Sequence, residues 1–185
     1  MPTGFLRPLL LCLLALGPAP VCAGELDLGI SELRLGIFDQ SVDGAQSEDG
    51  AAVNVEVLLA RLGTPAESAL LDAVLRPRPM LGASINTQGD TSVGYAGLTW
   101  TVPLLGDRLF AEASFGGAIH DGPLDEHGAA SYGCTLAFRE SASLGIGLGE
   151  GWQILGTVEH MSNADLCDRN RGLTNAGVRL GYRLD

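Results

Sequence analysis

Lysine is absent from this 185-residue chain, and all 11 of its basic residues are arginine. The 22 acidic residues give a formal net charge of −11, and no basic cluster interrupts the acidic excess. Proteins that bind nucleic acids need clustered positive charge to meet the phosphate backbone. The composition therefore argues against a nucleic-acid partner.

Long hydrophobic runs are scarce as well. The clearest one lies near the N-terminus, where Arg7 precedes the apolar segment 9–16 and small residues follow as far as Ala23. A basic residue, a short apolar core and a small-residue cleavage site are typical of a secretory signal peptide. We expect residues 1–23 to be such a peptide, cleaved after Ala23, and residues 24–185 to form one domain.

Beyond residue 23, no stretch approaches the roughly 18 consecutive apolar residues of a membrane-spanning helix. Hydrophobic residues nevertheless make up 46 % of the chain, and 26 residues are glycine. Apolar and polar residues alternate in short segments, as they do in membrane β-barrels and in soluble β-sandwiches. We predict eight strands, at 30–38, 51–61, 80–88, 93–103, 108–120, 130–147, 152–162 and 173–184.

The predicted connections differ in length from one end of the strands to the other. Long polar loops are expected at 39–50, 121–129 and 163–172, and tight turns at 105–107 and 149–151. Long loops on one side, short turns on the other and an even number of strands are typical of bacterial outer-membrane barrels. Segment 62–79 is the exception, because Glu67 to Leu75 is predicted to form a short helix.

The polar faces of the strands collect charges of both signs, and this separates the two fold classes. These residues are Glu32, Arg34, Glu56, Glu112, Arg139, Glu159 and Arg179. A soluble sandwich would expose them to water, whereas a small barrel encloses and pairs them. We therefore predict an all-β fold, an eight-stranded antiparallel transmembrane β-barrel. Glu140 fits poorly, because a regular strand would point it at lipid; a β-bulge near Arg139 would turn it inward.

The segment that suggests chemistry begins at Glu159 and includes His160 and Ser162. Two residues apart on a strand, His160 and Ser162 share one face. That face also holds Ile154 and Val158, which the alternation assigns to lipid. A serine nucleophile needs a base and donors for the developing oxyanion. The pair is also compatible with an ordinary polar rim at a strand end.

Residues His160, Ser162, Asn163 and Ala164, followed by Asn170 and Gly172, resemble the signature of the outer-membrane lipid A 3-O-deacylases of the PagL type. The flanking segments 138–141 and 175–179 are also similar, so the resemblance is specific over about 138–183. It implies an active site on the outer wall of the barrel. It further implies that Ser162 is the nucleophile, His160 the general base, and Asn170 with the Ala164 backbone N–H the oxyanion hole.

One residue departs from the family pattern. The family places a glutamate four residues after the loop asparagine, where it orients the histidine, and this chain has Thr174 there. A hydroxyl can hold the imidazole by a hydrogen bond, but it stabilises the imidazolium much less, and losing a triad acid can cost about 10⁴ in rate. Asp165 and Asp168, with Asn163 nearby in the same segment, are candidates for supporting roles, including a relocated carboxylate.

Two cysteines remain beyond residue 23, Cys134 and Cys167. In an exported protein an even pair suggests a disulfide, the alternative being two free thiols. A bridge would pin the loop that carries Asn170. The alternative is loop stapling without catalytic consequence.

No metal site and no cofactor are predicted. His120 and His127 flank an acidic loop, but their spacing matches no zinc pattern, and a solvated acidic loop is the simpler interpretation.

Two functions remain open from the sequence. The first is a serine esterase of the outer membrane that hydrolyses the 3-O-linked acyl chain of lipid A, with lipopolysaccharide and outer-membrane lipid as its partners. The second is a weak or inactive barrel with a structural or lipid-binding role, because the acid is missing. A small porin is disfavoured, since side chains fill an eight-stranded barrel. Assembly into a homo-oligomer is compatible with either function.

Overall fold

The computed structural model describes residues 29–42, 48, 50–106, 108–124 and 131–184, so the predicted signal peptide at 1–23 lies outside the described residues. This part of the chain forms eight strands and one short helix. The strands are β1 (Ile30–Asp39), β2 (Ala51–Leu59), β3 (Arg78–Asn86), β4 (Val93–Pro103), β5 (Leu109–His120), β6 (Leu136–Gly149), β7 (Trp152–Ser162) and β8 (Leu173–Arg183). The helix α1 (Ala69–Leu75) lies between β2 and β3.

The eight strands close into one barrel. Each strand pairs antiparallel with its neighbours in the chain, and β1 pairs with β8 from Glu32↔Arg183 to Asp39↔Ala176. The predicted all-β, eight-stranded antiparallel barrel is therefore confirmed. Closure leaves no unpaired edge, which a strand-built membrane protein requires because lipid offers no hydrogen bonds.

Several strand boundaries differ from those predicted, most of them by one or two residues, and the largest difference is at the start of β6. The sixth strand begins at Leu136 rather than at 130, because Tyr132 instead closes the preceding loop, where its N–H donates to the Pro123 carbonyl at 2.9 Å. The third strand begins at Arg78, two residues early, since Arg78 pairs with Thr99 and turns its side chain into the lumen.

Side chains alternate between a polar lumen and an apolar outer wall. In β7, burial alternates residue by residue: Gln153, Leu155, Thr157 and Glu159 are enclosed, and Trp152, Ile154, Gly156 and Val158 are exposed. On β1 the outward-facing Ile37 is 65 % exposed. Large apolar side chains on the exposed face and charges on the enclosed face are the arrangement expected in lipid.

Ion pairs occupy the lumen. Arg34 contacts Glu32, Glu56 at 3.2 Å and Glu112 at 2.8 Å, and all four side chains are at most 2 % exposed. Arg78 binds Glu32 at 2.6 Å and Glu112 at 2.8 Å. Desolvating an ion costs several kcal/mol, and only close pairing with further hydrogen bonds offsets it. The charges predicted to be enclosed are thus enclosed together with their partners.

A second lumen cluster lies nearer to β7. Arg139 contacts Glu159 at 2.5 Å and stands over the Tyr95 ring at 3.7 Å. Arg179 joins Glu159 at 3.3 Å to Glu56 at 3.4 Å. Because Glu159 is committed to these arginines, it points away from the outer wall.

Strand β6 pairs with β7 without a register shift from Phe138 to Gly147. The β-bulge considered near Arg139 is therefore not formed. Arg139 faces the lumen at 2 % exposure, and Glu140 is exposed on the outer wall. The ion pair of Arg139 with Glu159 holds Arg139 in the lumen, so the next residue, Glu140, faces outward.

Helix α1 begins at Ala69, later than the predicted Glu67, because the Ser68 hydroxyl caps it by accepting from the Leu71 N–H at 3.3 Å. The Trp100 indole N–H donates to the Val74 carbonyl at 3.1 Å and ties the helix to β4. Among the described residues, no helix has the length and apolarity to span a bilayer.

Candidate active site

The end of β7 that leads into loop 163–172 carries His160 and Ser162. Both are half-buried, whereas the intervening Met161 and the preceding Glu159 are buried. The strand alternation therefore places the imidazole and the hydroxyl together on the outer wall. Below them the same face continues with Val158, which is 51 % exposed.

The neighbouring strand β8 holds the imidazole. Thr174 is the register partner of His160, and the His160 Nδ1 lies 2.9 Å from the Thr174 Oγ1. When Nδ1 carries the proton and donates it to this hydroxyl oxygen, the lone pair of the imidazole resides on Nε2. In that tautomer His160 can act as a general base through Nε2.

Gly172 gives the ring its space. A Cβ at position 172 would come within 2.6 Å of the His160 Cε1 and 3.1 Å of its Nε2. Since Leu173 pairs with Met161, Gly172 stands beyond that pair, towards the level of Ser162. The Nε2 edge is therefore tilted towards the end of the strand where the serine lies. Any larger residue at 172 would displace it.

A tight turn follows Ser162. The Leu166 N–H donates to the Asn163 carbonyl at 3.1 Å, and the two residues between them, Ala164 and Asp165, have φ of 53° and 60°. Left-handed backbone costs a non-glycine residue of order 1 kcal/mol or more, and such strain is concentrated at functional sites. The turn brings the Ala164 backbone directly after the candidate nucleophile.

Asn170 braces this turn. Its Oδ1 accepts from the Asn163 backbone N–H at 2.9 Å, and its Nδ2 donates to the Asp165 Oδ1 at 3.1 Å. The Asn163 side chain donates in turn to the Tyr132 carbonyl at 2.7 Å and to the Arg169 carbonyl at 2.5 Å. The structure therefore brings Asn170 and Ala164 together on one turn beside Ser162, with the Asn170 amide carrying a second N–H.

A disulfide joins Cys134 to Cys167, with their Cα atoms 6.1 Å apart. It connects the loop before β6 to the loop before β8. Beside it, an apolar groove of about 850 Å³ runs along the outer wall. Its lining includes Phe115, Gly117, Leu136, Phe138, Leu166 and Cys167.

The groove ends next to the candidate nucleophile. Phe138 on β6 is the register partner of Ser162 on one side and of Gly117 on the other. Adjacent strands lie about 4.8 Å apart, so Gly117 stands roughly 10 Å from Ser162 across the wall.

The two aspartates considered as relocated acids do not reach the imidazole. Asp165 accepts from the Asn170 amide instead. Asp168 is exposed, and it forms no ion pair with any residue that the structure describes. Neither carboxylate takes the position of the missing glutamate.

Glu140 is the residue whose role the sequence did not assign. It is the register partner of His160 on β6, the side opposite Thr174. The sequence did show that Glu140 falls on the lipid-facing side of its strand, where a carboxylate is costly and therefore suggests a function.

In the described part of the chain, no group of three or more potential metal ligands occurs. His120 turns its Nε2 to the Cys134 carbonyl at 2.9 Å and packs on the Tyr132 ring. His127 lies outside the described residues.

A closed eight-stranded barrel with a paired, charged lumen and an apolar outer wall defines an outer-membrane β-barrel. The family model of lipid A 3-O-deacylase (PagL) matches residues 79–183, and the chain belongs to this family. Its place is therefore the bacterial outer membrane. No curated protein sequence matches the chain.

Solved structures agree on the fold. The crystal structure of the outer membrane enzyme PagL superposes with a TM-score of 0.61 at 16 % identity, covering 82 % of this chain and 99 % of that one. A de novo designed transmembrane β-barrel follows at 0.50 and 10 % identity, covering 87 % and 100 %. At these identities the likeness shows the architecture alone.

Proposed function

We propose that this protein is a serine esterase that hydrolyses the 3-O-linked acyl ester of lipid A in the outer membrane. The observation that carries the proposal is the His160–Thr174 hydrogen bond on the outer wall; when Nδ1 is its donor, Nε2 can take a proton. Ser162 follows two residues later on the same face, and the apolar groove adjoins it. A base, a nucleophile and an apolar surface that can hold an acyl chain thus lie together on the outer wall, at the loop end of β7.

In the proposed reaction, the Ser162 Oγ attacks the ester carbonyl while the His160 Nε2 takes the hydroxyl proton. The negative charge on the carbonyl oxygen is stabilised by the Ala164 backbone N–H and the second Asn170 amide N–H. Collapse of the tetrahedral intermediate breaks the bond to the sugar oxygen, which receives the proton from His160. The products are the 3-hydroxyl of lipid A and an acyl-Ser162 ester.

The second half repeats these steps with water. His160 removes a proton from a water molecule, whose oxygen attacks the acyl-enzyme, and the free fatty acid leaves as the Ser162 hydroxyl is restored. No step calls on a metal or cofactor. Asn163 and Asp165 support the oxyanion donors through the hydrogen bonds that hold Asn170 and the turn.

The Thr174 hydroxyl also favours a second candidate, a barrel that keeps the scaffold with little or no catalysis. A neutral group at this position orients the imidazole without stabilising its cation. Lipid A would then bind along the wall without being cleaved, and the protein would serve a structural or lipid-binding role.

Mass spectrometry of lipid A separates the two. Cells producing the wild-type chain are compared with cells producing Ser162→Ala. We expect one 3-hydroxyacyl chain to be lost only with the wild type. Ser143→Ala is the matched control, since Ser143 faces away from the outer wall and bonds to the Thr157 hydroxyl at 2.8 Å, and it should leave the deacylation intact. Identical spectra for all three would establish the non-catalytic barrel.

A further inference from the structure

Two strands flank His160, and they offer it different groups. On β8 the register partner is Thr174; on β6 it is Glu140. We infer that Glu140 is a positioning residue that supplies the negative charge absent from Thr174 and stabilises the imidazolium formed during ester hydrolysis. This inference rests on the proposed esterase function and assigns a residue that acts through His160.

The backbone register carries the geometry. Directly opposed residues of an antiparallel pair have Cβ atoms about 4.5–5.5 Å apart and project to the same face. Because β6 and β7 pair without a shift from Phe138 to Gly147, Glu140 and His160 are such a pair. A glutamate side chain is long enough to carry its carboxylate from that position to the edge of the imidazole.

The location of the charge makes the assignment specific. Among the outward-facing strand residues that the structure describes, the carboxylates are Glu140 and Asp39, and Asp39 stands at the very end of β1. Lumen carboxylates such as Glu112 and Glu159 each contact an arginine. Glu140 forms no ion pair with a described residue, and its register partner on β7 is His160.

The other charged groups that the structure describes around this site are engaged elsewhere or exposed on a loop. Asp165 is engaged by Asn170, and Glu159 faces the lumen with Arg139 and Arg179. Arg171, in the loop before β8, reaches Glu48 at 3.4 Å. Asp168 is exposed on its loop. Thr174 and Glu140 therefore divide two tasks of a triad acid between two strands: the hydroxyl fixes the tautomer, and the carboxylate supplies the charge.

The test uses the full-length protein, folded in detergent, and two substrates: lipid A and a small soluble ester such as p-nitrophenyl acetate. The variants are Glu140→Gln, Glu140→Asp and Glu140→Gln combined with Thr174→Glu. Asp39→Asn is the control for removing an outward-facing carboxylate. Heat-modifiable mobility on gels reports folding of each variant.

We expect Glu140→Gln to lower kcat about 10- to 100-fold on both esters with little change in KM, because it removes a charge on the strand next to the developing cation. Glu140→Asp should retain part of the activity, and adding Thr174→Glu should restore it. Asp39→Asn should behave as wild type.

Several outcomes would overturn the inference: a Glu140→Gln enzyme with unchanged kcat, a loss confined to lipid A, or no rescue by Thr174→Glu. These remain distinct from failure of the proposed function. In that case the wild type and Ser162→Ala would be equally inert on both esters, and the role of Glu140 would fall with it.

Discussion

The lumen and the outer wall of this barrel are built from alternate residues of the same strands, yet they treat polar groups in opposite ways. In the lumen, Arg34 touches three glutamates, and the charge of each ion is met by its neighbours. On the wall, polar side chains are few and are gathered at the loop end of β7, around His160 and Ser162. The enclosed, paired charges stabilise the barrel, whereas the few polar groups on the lipid-facing wall are the ones proposed to act in catalysis.

The largest effect on activity is expected at His160, the proposed general base on the outer wall. Replacing His160 with Gln should reduce deacylation about 10⁴- to 10⁶-fold, because a nucleophile and its base act as a unit. Stability should change little, since the side chain lies on the wall and its described hydrogen bond is the one to Thr174. The measurements are fatty-acid release from lipid A and a urea-unfolding curve. Activity within tenfold of wild type would refute the assignment.

Substitutions in the lumen should lower stability and leave activity unchanged. Arg34→Leu leaves Glu32, Glu56 and Glu112 without their shared cation and should lower the free energy of unfolding by about 3–5 kcal/mol. The folded fraction should deacylate normally. Arg183→Leu is the matched control, because Arg183 is 31 % exposed and reaches Glu32 only at 4.0 Å; its effect should stay below about 1 kcal/mol. Equal losses in both variants would mean that the lumen cluster is not what stabilises the barrel.

The alternation made the barrel predictable from sequence, because a period of two assigns every strand residue to a face. The lumen charges, such as Glu56 and Arg179, followed from it directly. The beginning of β6 did not, because residues such as Tyr132 have strand-like composition, and a loop contact with Pro123 decides the boundary. The sequence indicates the local preference of these residues for a strand, but the contact that ends the loop is a tertiary one and cannot be predicted from it.

The candidate site was predictable only in part. The spacing of His160, Ser162 and Asn170 suggested an esterase site through a family resemblance, and the period of two predicted that the first two share one face. Identifying the neighbour of His160 on β6 requires the strand register, which a single sequence specifies poorly. Glu140 was visible as a misfit on a lipid-facing strand, but nothing in the sequence aligned it with His160.

The disulfide lies in the loops, outside both the lumen and the outer wall, and its removal should affect stability and activity together. Cys134→Ser with Cys167→Ser should lower the free energy of unfolding by about 2–4 kcal/mol, since the bridge closes a chain separation of 33 residues. Activity should fall several-fold, because Asn170 and the turn at Ala164 are held in the loop that the bridge restrains. Unfolding curves and initial rates are the measurements, with dithiothreitol-treated wild type as a parallel case. A stability loss at full activity would restrict the bridge to loop stapling.

The smallest change concerns the shape of the wall alone. Gly117 lines the groove, and a Cβ there meets nothing within 4 Å, so Gly117→Leu should fold and fill the groove. A few methylene groups are worth about 1–3 kcal/mol in an apolar site, which predicts a fall of about 10-fold or more in kcat/KM for long acyl esters and little change for acetate. Gly156→Leu is the matched control, because Gly156 is also open and outward-facing but lies outside the groove lining. Equal rates for both variants on a series of acyl lengths would show that the acyl chain does not lie in this groove.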